Sequence, residues 1–141
     1  MKIAIITGSR NWTDAAAIHK ALEEFKPDLV VQGLAKGADT IARCWAIDNG
    51  VEYEDWPARW DLHGKAAGPI RNQHMLERYA DSGYVAEQVL VLAFRLGGES
   101  SRGTTHAIRL AKKMGLAVKI TDVLNWQEQI IPLPGFTTGE E

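Results

Sequence analysis

Five short apolar runs recur at regular spacing along the chain, and a stretch with helical periodicity lies between most neighbours. The runs are KIAIIT (2–7), DLVVQ (28–32), VEYEDW (51–56), QVLVLAF (88–94) and LAVKI (116–120). Each has the length and β-branched content of a strand. VLVLAF is continuous rather than alternating, as expected for a strand covered on both faces of a parallel sheet. Strands that alternate with helices need crossover connections, so the pattern predicts an α/β fold of three layers around a mostly parallel five-stranded sheet.

The intervening segments support this. Ile18, Ala21, Leu22 and Phe25 share one face of DAAAIHKALEEF, with Thr13 as the expected N-cap. Ala38, Ile41, Ala42, Trp45 and Ala46 form a second stripe, which stops at Asn49-Gly50. Cys44, the only cysteine, falls in that helix and reads as a small buried residue. Pro69 is placed at the first position of a third helix, PIRNQHMLERYA. Ala107, Ile108, Ala111 and Met114 face inward in a fourth, stopped by Gly115. Residues 57–68 read as the longest loop. Residues 1–120 make one domain, and residues 121–141 read as a C-terminal arm, because Pro132, Pro134 and a polar end disfavour a buried helix. Trp126, Ile130 and Ile131 are expected to dock that arm on the body or on a second subunit.

The chain is 141 residues long, with 45% apolar residues and a net charge of -2. That balance disfavours a protein whose main task is coating DNA, and nucleic acid is not the expected partner. One cysteine excludes an internal disulfide, and His19, His63, His74 and His106 lack paired ligand spacing, so no metal and no cofactor are expected. No apolar stretch has the length of a membrane span and no signal peptide is evident, so the expected setting is the cytoplasm, with no membrane partner.

Ligands of open parallel sheets bind beyond the carboxyl ends of the strands. The segments at those ends are therefore informative. Gly8-Ser9-Arg10 comes after the first strand, GLAKGAD (33–39) after the second, PARWDLHGKAAGPIRN (57–72) after the third and RLGGESSRGTT (95–105) after the fourth. Glycines, hydroxyls and basic residues gather at this edge, whereas the opposite edge carries only ordinary stops. Helix starts at Gly37 and at Gly103-Thr104-Thr105 offer free N–H groups to an anion, and Arg10, Lys36, Arg71 and Arg102 add full charges. Arginine suits bidentate phosphate contacts. Trp12, Trp56 and Trp60 lie near the same edge as candidate stacking partners for a base, while Trp45 reads as core. No Walker A motif, GxGxxG or GxSxG is present.

Together, TGSRNWTD, GLAKGADTIARCWA, PARWDLHGKAAGPIRNQHM and VLAFRLGGESSRGTTHAI resemble the YspA/YpsA-related branch of the SLOG superfamily, found in bacteria and their phages. The resemblance covers residues 1–120 and implies a Rossmann-like fold, a nucleotide or nucleotide-derived ligand such as an AMP or ADP-ribose derivative, and self-association as a dimer or larger homo-oligomer. SLOG proteins include the lonely-guy phosphoribohydrolases and a DNA-processing protein. The hydrolases carry PGGxGTxxE. Here Gly97, Gly98, Gly103 and Thr104 match it, but Ala107 stands where the glutamate belongs. RNQHM (71–75) resembles their arginine-to-methionine signature. Leu34 and Lys36 replace a glycine and an arginine of the usual GGxRGAD.

The expected ligand-binding residues are Gly8, Ser9, Arg10, Trp12, Gly33, Lys36, Gly37, Asp39, Trp60, Arg71, Asn72, Gly98, Gly103, Thr104 and Thr105. If the chain is an enzyme, the expected reaction is hydrolysis of a nucleotide N-glycosidic bond, with Asp39, Glu99 and Arg71 as candidate catalytic residues and Asp61 as a further carboxylate. Binding without turnover ranks first. Hydrolysis ranks second, and a nucleic-acid-processing role resting on a basic strip of Arg71, Arg78, Arg102, Arg109, Lys112 and Lys113 ranks third.

Overall fold

The computed structural model describes residues 1–80, 88–97 and 102–123. The elements run β1 (Ile3–Gly8), α1 (Ala15–Phe25), β2 (Leu29–Gln32), α2 (Ala38–Asp48), β3 (Glu52–Asp55), α3 (Trp60–His63), a 3-10 turn (Gly64–Ala66), α4 (Ala67–Ala80), β4 (Val89–Leu96), α5 (Arg102–Lys113) and β5 (Ala117–Val123). The strands form one sheet of order β3-β2-β1-β4-β5, and every pairing is parallel. The fold is Rossmann-like α/β. The central register runs from Ile3 opposite Val89 to Gly8 opposite Phe94.

Period-two geometry divides β1 between two cores. Ala4 and Ile6 pack with Ile18 and Leu22 of α1 and with Ala42 and Trp45 of α2. Ile3 and Ile5 pack with Met75, Leu76 and Tyr79 of α4 and with Ala111 of α5. This assignment follows from crossover handedness. Strand order grows one way from β1 to β3 and the other way from β3 to β5, so right-handed crossovers place α1 and α2 on one face and α4 and α5 on the other. The order reverses between β1 and β4, where such folds open a crevice.

Several expectations need correction. Asp14, not Thr13, caps α1, its carboxylate accepting from the Ala17 N–H. Residues 57–68 are not one loop, since α3 and a 3-10 turn occupy much of them and α4 starts at Ala67. Pro69 still sits in the first turn of α4, where its missing N–H is tolerated. Cys44 is exposed, because it falls between the inward positions Ala42 and Trp45 of α2 rather than on their stripe. The strand β5 runs to Val123, three residues into the expected arm. It is held there by a bidentate pair between Arg95 of β4 and Asp122, at 3.1 and 2.6 Å. The remainder of the arm, with Trp126, Ile130 and Ile131, lies outside the described residues.

The loop after β1 is fastened to α2, not to α1. The Ser9 N–H continues the ladder to the Phe94 carbonyl at 2.9 Å, and the Ser9 carbonyl accepts from Trp12 and, at 3.3 Å, from Ala38. A Cβ on Gly8 would overlap the Ala38 methyl. Gly8 is therefore required by helix packing, not only by a ligand. Gly37 has φ +87° and ψ -126°, and a Cβ there would collide with the carbonyls of Ser9 and Arg10. Trp12 is 4% exposed, meets Phe94 edge-on at 5.5 Å and donates its indole N–H to the Asp14 carbonyl. Gly37→Ala is expected to cost about 3 kcal/mol or more in urea unfolding, from backbone strain plus overlap. Trp12→Ala should cost about 3–5 kcal/mol as a core truncation.

Candidate functional site

A cleft of about 380 Å³ opens at the point where strand order reverses, lined by Thr7, Gly8 and Arg10 after β1, Asp39 of α2, Arg71 and Asn72 of α4, and Gly103 and Thr104 of α5. Trp60 of α3 borders it. An outer lobe of about 400 Å³ adjoins it, lined by Gly33, Leu34, Lys36, Pro57 and Ala58 and sharing Arg10, Ala35, Trp60 and Arg71 with the first. Positions 10, 39, 71 and 104, expected from the strand order to meet at one edge, do share one space. The topology brings them together, since β1 lies in the middle of the sheet beside both β2 and β4.

Arg71 is fixed at three points. Its Nη1 donates to the Gly33 carbonyl at 2.5 Å and to the Trp56 carbonyl at 3.0 Å, and its Nε donates to the Asn72 Oδ1 at 2.8 Å. A Cβ at Gly33 would overlap this guanidinium, so glycine is required there by the arginine. Trp56 is itself pinned. Its N–H donates to the Gln32 carbonyl, and its indole N–H donates to Glu54, which also accepts from the Tyr79 hydroxyl at 2.6 Å. The anchor for Arg71 thus reaches into the sheet. Burial lowers the Arg71 pKa, the Asp39 carboxylate raises it, and the nearby charge of Arg10 lowers it further.

Asp39 is the carboxylate on the cleft wall. It is 5% exposed. One oxygen, Oδ2, accepts from the backbone N–H groups of Gly33 at 3.2 Å and Ala35 at 3.3 Å. The other, Oδ1, is buried with no hydrogen-bond partner. Desolvation lifts the pKa of Asp39 from 3.8 to about 6, outweighing the opposing pull of Arg71 and the two N–H donors. The carboxyl of Asp39 thus stands at the cleft wall with one oxygen hydrogen-bonded and the other enclosed by protein.

Arg10 lies over the Trp60 ring, its guanidinium carbon 5.4 Å from the ring centroid. The Trp60 indole in turn reaches Gly68. Thr104 is buried at the start of α5, and among the described residues nothing lies within 4 Å of where a Cβ on Gly103 would stand.

Of the expected site residues, the structure gathers Gly8, Arg10, Asp39, Trp60, Arg71, Asn72, Gly103 and Thr104 around the inner cleft, and Gly33 and Lys36 around the outer lobe. Four others sit elsewhere. Ser9 is buried, and its hydroxyl accepts from the Asn11 N–H, closing the turn rather than facing an anion. Trp12 belongs to the core, with its N–H consumed internally, so it is no lid. Gly37 holds the start of α2 against the β1 loop, and the Ala38 N–H is spent on Ser9. Thr105 accepts from Arg95 at 3.4 Å, away from the cleft. Gly98 and Glu99 lie outside the described residues. Asp61 is exposed and paired with Arg59 at 3.2 Å, so it supplies no carboxylate here. Ala107 is buried in α5. Arg71 turns to the cleft, which breaks the basic strip expected along α4 and α5. Ile6, Thr7, Ala35, Gly68, Pro69 and Met75 complete the inner wall. They carry no chemical signature in sequence and are found only through their place at the sheet's edge. Among the described residues no cluster of three His, Cys, Asp or Glu side chains is placed to hold a metal ion, and no helix is long and apolar enough to cross a membrane.

The raised pKa of Asp39 has a consequence for stability. Folded protein retains a proton that unfolded chain releases between about pH 4 and 6, so this residue lowers stability as pH rises through that window, by at most about 3 kcal/mol. Asp39→Asn keeps an oxygen for the Gly33 and Ala35 donors. It should be more stable than wild type above about pH 6 by up to that amount, and the gain should fade as pH drops towards about 4. Urea midpoints across this range measure it.

Residues 1–63 match the YspA, cpYpsA-related SLOG family. The chain is similar to the Gene 61 protein of Mycobacterium phage D29, at 38% identity over 130 residues, covering 84% of this chain and 94% of that protein. Among solved structures, it is similar to DNA processing protein A of Streptococcus pneumoniae at 16% identity and a TM-score of 0.44, over 93% of this chain. The chain spans 62% of the length of that structure. With more than a third of its residues shared with a relative it matches almost end to end, and with the family's own pattern over its first three strands, the chain belongs to the YspA, cpYpsA-related SLOG family.

Proposed function

We propose that this protein binds a phosphorylated nucleoside, of the AMP or ADP-ribose kind, in the cleft beyond β1 and β4. The observation that carries this reading is the presence of two arginines and one carboxylate on the cleft wall. Arg10 and Arg71 are close enough to oppose each other's charge, and Asp39 is the counter-ion among the described residues of the wall. One positive charge is left over. The open start of α5 at Gly103 adds dipole and N–H donors beside it. A phosphate satisfies all three. Trp60 supplies an exposed aromatic side chain, and Asp39 sets a carboxylate in the wall beside the sugar. Membership of a SLOG family points to a nucleotide-related function.

A second reading is favoured by Asp39 itself. Cleavage of an N-glycosidic bond passes through a ribosyl cation, which a buried carboxylate stabilises. Water then adds to the sugar as the base departs with a proton. The family glutamate is absent at Ala107, so Asp39 would have to take its role alone. For this reason retention without cleavage is preferred.

Calorimetric titration with AMP, ADP-ribose and ribose 5-phosphate tests the binding reading. At least one should bind, and Arg71→Ala should weaken it about 100-fold, as expected for loss of a charge-assisted phosphate contact. Chromatography of the same mixtures should show no free base. Base released by wild type and not by Asp39→Asn would replace the binding reading with the hydrolytic one. No binding of any of the three compounds would remove both.

A further inference from the structure

Leu34 combines a backbone conformation that favours glycine with an exposed apolar side chain. Its backbone is left-handed, at φ 58°. The other non-glycine residue in this region among those described, Lys26, ends helix α1, where such a conformation is routine. Leu34 ends no helix and lies between β2 and α2. Its conformation is imposed from below. The side chain of the fully buried Gln32 accepts from the Leu34 N–H at 2.5 Å, and that amide is itself held by Asp55 and the Glu54 carbonyl. Yet the Leu34 side chain is 44% exposed and belongs to neither core cluster. A glycine would take this backbone without strain and would expose no apolar surface. Strain of this kind that persists beside a cleft marks a functional position.

The side chain borders the outer lobe, with Pro57, Ala58 and Trp60 as its other apolar neighbours. Among the described residues no carboxylate lines this lobe, whereas Arg10, Lys36 and Arg71 do. The lobe therefore combines apolar and cationic lining, and it is continuous with the inner cleft through Arg10 and Arg71. A planar heteroaromatic ring joined to a phosphate has this combination of properties. The Arg10 guanidinium lies over the Trp60 ring, and the residue stays 49% exposed, which leaves indole surface on which a base can stack.

We propose that Leu34 and Trp60 are the two apolar walls of a base-binding subsite, and that Leu34 sets the contribution of the base to affinity. The proposal rests on the nucleotide reading given above and adds which residue of this chain grips the base.

The test compares AMP and GMP with ribose 5-phosphate by calorimetry, on wild type and on Leu34→Gly. Wild type should bind at least one nucleotide about tenfold more tightly than ribose 5-phosphate, the range expected for stacking one base. In Leu34→Gly that advantage should fall to about threefold or less, with ribose 5-phosphate affinity within about twofold of wild type and a melting temperature equal or higher. Trp60→Leu, at an exposed position, should also lower the nucleotide advantage. An unchanged nucleotide advantage in both variants overturns the proposal while leaving phosphate binding intact. Equal affinity of wild type for ribose 5-phosphate and both nucleotides also overturns it. If wild type binds none of the three, the nucleotide reading fails and this proposal fails with it.

Discussion

The guanidinium of Arg71 ties the carboxyl edge of this sheet together. It has little freedom of its own, being held by the Gly33 carbonyl after β2, the Trp56 carbonyl after β3 and the side chain of its neighbour Asn72. Through its charge it also engages Asp39 at the start of α2. Two strand ends and two helix starts are thereby referred to one cation. Such an arrangement is costly to build, because a partly buried charge must be desolvated. It leaves the cleft preorganised, so a ligand meets a guanidinium already in place and little ordering remains at the moment of binding.

The rest of the edge depends on that fixed point. Gly33 must lack a side chain for the arginine to reach its carbonyl. Asp39 must sit deep enough to touch the N–H groups of Gly33 and Ala35, and this burial is what raises its pKa to about 6. The second cation, Arg10, lies on Trp60 instead of pairing with the same counter-ion. The outcome is a cleft with surplus positive charge, a carboxyl with an idle oxygen, and an indole at its border. These features weaken the folded protein slightly and are retained at the one edge where a parallel sheet presents its loops.

Much of this was legible in the amino-acid order. Period-two and period-3.6 patterns are strong over VLVLAF and over the α2 and α5 stripes, so strand and helix identity came directly from burial. The loop residues with formal charge, Arg10, Asp39 and Arg71, were legible because charge at a strand's carboxyl end has few other uses. What was hidden is direction. Ser9 and Trp12 occupy a loop whose sequence advertises a ligand, yet one closes the turn and the other fills the core beside Phe94, a partner 82 positions away. Gly37 looked like an anion cradle and is a packing point for the Ser9 carbonyl. Local sequence states which groups are available, whereas tertiary contacts decide which are already spent. Thr105 and Asp61 make the same point, each consumed by a nearby arginine.

The central claim is that the Arg10–Arg71 cleft holds a nucleotide phosphate with the sugar towards Asp39. A crystal structure grown with AMP or ADP-ribose at saturating concentration addresses it most directly. The predicted result is a phosphate within hydrogen-bond distance of Arg10 or Arg71 and of the Gly103–Thr104 N–H groups, with the ribose on the Asp39 side of the cleft. A nucleotide bound elsewhere on the surface, with this cleft filled only by water, would contradict it.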